Sequence, residues 1–573
     1  MLVGMIRFLN LIIGFILKVY FNKNSVIMDT KRLVLFVIFS MSILMLWEAW
    51  QREQAPQTVG TSVAAAVTQD ASVPTQPADA AEPVAVESSV QLASNQKIKV
   101  TTDVYEAEIE TTGGDLRKLT LRKHRAADNE KDNFLLMSDA AKPMTYVAQT
   151  GLLANGLALP NHKSVFNTSA TAYQLEEGKD TLEVRLHWTN GEISVDKVYV
   201  FHRNSYLMDV NYEIKNNSSA AITPSVYYQI LHDDESNQGS AMMPTFTGAS
   251  YYTEEAKFKK VPFSDMEKDP LDLASKDGWI GLLQHYFVSA WIPKDGQART
   301  FYTNKLNEHL YTMGAKSTLP TIAANSSLTV PARLFAGPQT KKELDAAAPG
   351  LEYTVDYGIL TFFAKFLFWA LSGIYTLVNN WGVAIILLTV LIKLAFYPLS
   401  AKSYKSMAQM RELAPKLQAM KEKFGDDRQK MQMAMMELYK TEKINPMSGC
   451  FPILIQIPVF IALYWMLLGS VELRHAPFFG WIKDLSAIDP YYILPLLMGA
   501  TMIIQTYLNP PPTDPMQAKI MKIMPIVFSI FFFFFPAGLV LYWLVNNVLS
   551  IWQQWYINKS IHAEALAKKG HAK

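Results

Sequence analysis

Only one cysteine, Cys450, occurs in the whole chain. No intramolecular disulfide can form, and neither a CxxC redox pair nor a cysteine-rich metal site is available. Charge is also scarce: 18% of residues are Asp, Glu, Lys or Arg, against about a quarter in soluble domains. The two signs nearly cancel, at a net +2, so nucleic acid is a poor partner for the chain as a whole. A P-loop, a GxSxG elbow and an HExxH helix are absent as well. No cofactor, metal or small-molecule substrate is expected, and the chain does not read as an enzyme.

What is present is apolar sequence, segregated toward the two ends of 573 residues, a length that calls for at least two folding units. Residues 2–21 are apolar but broken by Arg7, Asn10 and Lys18. Met28 can itself serve as a start, which makes 1–27 a doubtful extension. A cleaner run, 33–50, ends in Trp47, Glu48 and Trp50 rather than in small cleavage-site residues, so it reads as a retained N-terminal transmembrane helix over 28–50. Residues 51–95 are Ala, Val, Pro, Thr, Ser and Gln, the composition of a disordered tether. From 96 to 350, short alternating runs are punctuated by Gly113-Gly114, Asn190-Gly191 and Asn216-Asn217, as expected of an all-β sandwich.

Residues 351–380 include an apolar stretch interrupted by Lys365, which suits a helix lying along a membrane surface somewhat better than the alternative, a true span. Five apolar stretches then follow within 381–558: 381–399, 451–469, 491–508, 520–535 and 539–557. Each is long enough to cross about 30 Å of hydrocarbon. The expected fold class is therefore α+β: a helical bundle of five core spans plus one N-terminal span, carrying a large β domain. Basic residues crowd 402–443 and recur at Lys519, Lys522, Lys559, Lys568, Lys569 and Lys573. The positive-inside rule puts these segments and the 559–573 tail in the cytosol, and the β domain in the periplasm.

One charge lies deep in this apolar sequence. Lys393 follows Trp381 by 12 residues, roughly 18 Å at 1.5 Å per residue. A charge at that depth costs on the order of 3 kcal/mol unless water or a partner receives it. Either the side chain snorkels to the cytosolic interface, or it is the charge of a wet pocket open to the cytosol. Thr389 precedes it by one helical turn and shares its face. Gln456, Tyr542 and Asn546 add uncharged polar groups on other spans, the last two at i, i+4. No Asp or Glu lies within these core spans, which argues against a proton relay and an ion-coupled pump.

The segment 401–447 reads as a cytosolic helical hairpin turning at Gly425, with Met407, Met410, Met420, Met431 and Met435 at helical spacing. Methionine faces adapt to varied apolar partners, and they also pack helix against helix. Prolines recur beside or within the spans, at Pro398, Pro452, Pro458, Pro495, Pro525 and Pro536, where each can kink or end a helix. The Phe535-Pro-Ala-Gly538 break leaves room only for a tight turn between the last two spans. In the β domain, His232-Asp-Asp-Glu235 reads as an acidic turn after a strand rather than as a metal or acid–base site.

The motifs Phe396-Tyr-Pro-Leu399, Lys443-Ile-Asn-Pro-Met-Ser-Gly-Cys450, Asp489-Pro-Tyr-Tyr492, Asp514-Pro-Met516 and Phe535-Pro-Ala-Gly538 resemble the YidC branch of the YidC/Oxa/Alb insertase family. The stretch 278–293, with Trp279 and Trp291, is similar to Gram-negative members. The likeness runs over nearly all of the chain from Met28; 1–27 has no counterpart. It implies a β-supersandwich, a surface helix, and a hydrophilic groove open to cytosol and lipid in the inner membrane. Lys393 falls where most members carry arginine; Thr389, Gln456 and Tyr542 match groove-lining positions. The lysine keeps the charge but lacks the planar fork that grips a carboxylate twice. The resemblance implies insertion and folding of nascent membrane proteins, with the Sec translocon and the ribosome as partners beside the lipid bilayer. The rival readings are a membrane-anchored carbohydrate-active or carbohydrate-binding protein, which needs a paired acid and base, and a small-molecule transporter, which needs midplane ion ligands.

Overall fold

A computed structural model describes residues 92–570, apart from 127–128, 130, 141–143, 235–244, 425–426, 443–450 and 509–514. The expected extension, the span at 33–50, nearly all of the tether, the hairpin turn at Gly425, Cys450 and Glu235 lie outside the described residues. So do residues 443–449 and Asp514 of the quoted motifs, and residues 571–573 of the tail.

Alternation of apolar and polar residues builds two ten-stranded sheets, each a run of nine strands with a tenth paired off it, Asn133–Met137 on Asp115–Arg125 and Ser326–Val330 on Leu207–Asn216. One runs from Asp272–Ser275 through Arg299–Lys305, Leu310–Thr318, Ser225–Asp233, Tyr146–Leu153, Asp115–Arg125, Tyr105–Glu110 and Lys97–Thr101 to Ala172–Gln174. The other runs from Lys259–Pro262 through Gly248–Tyr252, Trp279–Leu283, Phe287–Pro293, Ala332–Pro338, Leu207–Asn216, Ile193–His202 and Thr181–Thr189 to Asn167–Thr168. Pairing is antiparallel except between Lys97–Thr101 and Ala172–Gln174. In Leu207–Asn216 the inward residues Met208, Val210, Tyr212 and Ile214 are buried while their neighbours are not, the period-2 signature of a strand with one covered face. Ser225–Asp233 and Phe287–Pro293 are buried along their whole length. Trp279 and Trp291 lie wholly inside the core shared by both sheets, each contributing about 2–3 kcal/mol of burial. At Gly281 and Gly314 a Cβ would lie 2.0 Å and 2.3 Å from a neighbouring strand's carbonyl oxygen, so no larger residue fits. Two short helices, α1 (Phe263–Lys268) and α2 (Lys341–Ala347), belong to this domain.

The helical region begins with α3 (Thr361–Val378) and α4 (Trp381–Ala395). Two asparagines make the junction: Asn379 takes the left-handed conformation that ends α3, and Asn380 accepts Val383 N–H at 3.0 Å to begin α4. Tyr375 stacks on Trp381 across the join at 4.0 Å. α4 stops at Ala395, short of the expected 399, and the chain bends 67° into α5 (Tyr397–Glu412). Pro398 accounts for the bend, since it has no N–H for the preceding helix and fits only a first turn. The first arm of the hairpin divides likewise at Leu413, with Pro415 in the first turn of α6 (Ala414–Phe424). α7 (Arg428–Thr441) forms the return arm, capped by Asp427 and tied to α6 by Lys416–Glu442 at 2.6 Å.

Next come α8 (Phe451–Gly469), α9 (Ile493–Leu508), α10 (Pro515–Phe531) and α11 (Ala537–Gly570). Asp489 caps α9, accepting Leu494 N–H at 2.7 Å. The turn between α10 and α11 is pinned by Ala537 N–H to Ala487 O at 2.7 Å and by Gly538 N–H to Leu485 O at 2.8 Å. α11 continues unbroken through Lys559 into the basic tail. Among the described residues, α3 is the one helix that is long and apolar enough by itself to cross a membrane; α4 with α5 qualifies only as a bent pair.

Candidate functional site

Three apolar helices converge on one chain of polar groups. Lys393, two residues before the end of α4, is 7% exposed, and its Nζ donates to Ser550 Oγ at 2.7 Å. Ser550 donates in turn to the Asn546 carbonyl one turn back in α11, at 2.7 Å. The Asn546 side-chain oxygen accepts from Gln456 Nε2 of α8, also at 2.7 Å. A side-chain hydrogen bond links Gln456 to Tyr542. Four of the five sequence-identified groove residues therefore meet in a continuous polar path. Thr389 is the exception: buried, it donates to its own helix at Ile385 O, 2.7 Å away.

Lys393 is buried against a serine rather than extended along the helix, and no carboxylate among the described residues pairs with it. A cation held by neutral dipoles alone retains several kcal/mol of unrelieved desolvation cost. A carboxylate delivered beside it, or water reaching it, would lower that cost.

Sequence reasoning missed Ser550, and with it Asn547, Gln553 and Gln554, all buried on α11. The signal was available: Asn546, Ser550, Gln553 and Gln554 fall at i, i+4, i+7 and i+8, which is one face of a helix. Gln553 Oε1 is buried with no hydrogen-bond partner. α11 thus presents a polar stripe about two turns long.

In the hairpin, Met407, Met410, Met420, Met431 and Met435 are each partly buried. The outward methionines are Met433 and Met436, 57% and 59% exposed. They lie three apart on α7, off the face that the spacing had singled out.

Elsewhere polar groups serve packing. Inside the β domain Asp115 takes Gln149 Nε2 at 3.0 Å, Gln149 takes Gln229 Nε2 at 3.0 Å, and Gln229 takes the Tyr302 hydroxyl at 2.8 Å. Burial lifts the Asp115 carboxyl to about 6 against the pull of Lys197 and Arg117. His232 is buried at a strand end beside Tyr146, with its ring nitrogen on the Asp233 carbonyl. The loop after α8 docks on the β domain through Arg474, 4.9 Å from the centre of the Phe134 ring. Nearby, burial and the Arg474 cation hold His124 down to about 4, and burial holds His285 there too.

The family model described as YidC periplasmic domain matches residues 97–370, and the one described as 60Kd inner membrane protein matches 373–564. A membrane protein insertase YidC from Methylobacillus flagellatus is 63% identical over 554 residues, covering 95% of this chain and 100% of its own. The chain belongs to the YidC family of membrane protein insertases. Other YidC proteins agree: that of Laribacter hongkongensis is 50% identical, covering 95% of this chain and all of its own, and that of Nitrosospira multiformis is 48% identical, covering 94% and 98%. As a YidC-family member the chain is an insertase and not an enzyme, with a β-rich periplasmic domain of two sheets joined to a helical inner-membrane region.

Proposed function

We propose that this insertase receives nascent membrane proteins in a hydrophilic groove formed by α4, α8 and α11. The observation that carries the reading is the buried Lys393 cation, joined through Ser550 and Asn546 to Gln456 and, among the described residues, with no acid of its own. An acidic residue flanking a client's apolar segment is attracted to that charge. Burial of the apolar segment in lipid then draws the client sideways out of the polar path. No nucleotide enters this scheme.

The finer architecture belongs to the same proposal. Five core spans follow the N-terminal span, the β domain is a periplasmic supersandwich, and the C-terminus is cytosolic. The basic loops 402–443 and 559–573 support this orientation. α3 lies along the outer membrane surface, since Phe362 is 81% and Trp369 72% exposed on a helix that buries only Ala364, Leu367 and Leu371. The methionine-bearing hairpin meets clients first, and the Sec translocon and ribosome act beside it. The basic tail suits ribosomal RNA or anionic lipid.

The test is site-specific photocrosslinking to a ribosome-stalled single-span client. Probes at Gln456 and Asn546 should capture the client, and a probe at Phe362 should not. Capture at Phe362 with none at Gln456 or Asn546 would sink the groove reading.

A further inference from the structure

Beside the first turn of α3 lies an open groove of about 530 Å³ in which Lys257, Lys259, Lys260 and Lys365 face a single carboxylate, Asp356. That carboxylate is already paired with Lys260 at 2.7 Å, and Lys257 is paired with Glu254 at 3.2 Å. Lys259 and Lys365 have no acidic partner among the described residues; Lys365 instead lies 5.4 Å over the Tyr353 ring. The groove therefore holds two cations that no acid among the described residues compensates.

The neighbouring sequence indicates what they meet. Lys365 follows Phe362 by three residues and precedes Trp369 by four, so it shares their outward face. That face is apolar and exposed. A lysine set among exposed aromatics on such a helix marks the level at which acyl chains give way to phosphates. Tyr353, 46% exposed, and the partly buried Phe258 supply an apolar shelf on the groove's floor.

We infer that this groove binds the phosphodiester headgroup of an anionic glycerophospholipid of the outer leaflet, with Lys259 and Lys365 as its principal ligands. The inference rests on the reading of α3 as a surface helix. The bound lipid ties the β domain and α3 to the bilayer at one point, since Lys259 belongs to a strand of the former and Lys365 to the latter.

The experiment uses the full chain in nanodiscs of pure phosphatidylcholine or of an equimolar phosphatidylcholine–phosphatidylglycerol mixture. Hydrogen exchange is followed over 257–261 and 353–365. Phosphatidylglycerol should slow exchange there about tenfold, as for a site filled at roughly ten times its Kd. The double variant K259Q/K365Q should lose the protection, and K259R/K365R should keep it. Equal protection in pure phosphatidylcholine, or full protection in the glutamine variant, overturns the proposal. Protection by inorganic phosphate alone in phosphatidylcholine discs also overturns it, by making the ligand a free anion. Quenching of Trp369 by lipids brominated near the headgroup separates the two readings. Quenching without a phosphatidylglycerol effect refutes only the lipid site, whereas no quenching refutes the surface helix itself.

Discussion

Arg474 offers a sharp test of how the β domain is held to the loop after α8. Its guanidinium lies 4.9 Å from the Phe134 ring centre and 5.6 Å from that of Phe287, two rings that stack on each other at 4.2 Å. Arg474→Ala removes two cation–π contacts of about 1 kcal/mol each and the packing of the alkyl stem, together about 2–3 kcal/mol. Because the contact anchors one loop, the loss should appear as local opening. Amide exchange over 471–490 should accelerate roughly 30- to 150-fold, while the core strand Ser225–Asp233 stays protected. The substitution also removes a positive neighbour that helps hold His124 near 4. His124 should then titrate closer to its ordinary value, which NMR of labelled histidine reads directly. Unchanged exchange in the loop together with an unmoved His124 titration would refute the account of this contact.

Acid should weaken the same junction. His124 and His285 are held near 4, below the ordinary 6.5, so both stay neutral when docked. Their contribution is complete above pH 6.5 and drains as the pH falls toward 4, by about 2 kcal/mol each once partial exposure is discounted. Exchange of the 471–490 loop measured across that range checks the sign. Gln229→Leu should strand the Gln149 and Tyr302 side chains it joins, lowering stability by about 2–4 kcal/mol, seen as a fall in the Tm of the purified protein. Gly382→Val should fold poorly, because a Cβ there would sit 2.1 Å from the Phe478 ring; membrane-fraction yield reports the outcome.

Much of this organisation is legible along the chain, for reasons that differ by element. The β domain declares itself through strict alternation, as in Leu207–Asn216, because one covered face imposes a period of two. Wholly buried strands such as Ser225–Asp233 carry no such period and are found only by their neighbours. Prolines mark breaks but not their positions: Pro398 ends α4 at Ala395, several residues before the apolar run itself ends. Lys393, Gln456, Tyr542 and Asn546 stand out as polar interruptions of apolar stretches. Ser550 does not, since a serine in a membrane helix usually satisfies itself on its own backbone. Only the placement of α4 beside α11 makes it the partner of Lys393. For the hairpin methionines, spacing alone cannot tell the inward face from the outward one, and so does not mark the exposed Met433 and Met436.

The claim that a positive charge in the polar path attracts client acids is tested most directly at Lys393. Cells depleted of their own insertase are rescued with wild type, K393R, K393A or K393E. Insertion of a single-span protein with an acidic periplasmic tail is then scored at matched protein levels. The account predicts rescue by wild type and arginine and failure of alanine and glutamate. Equal rescue by all four would contradict it and leave Lys393 with a structural role alone.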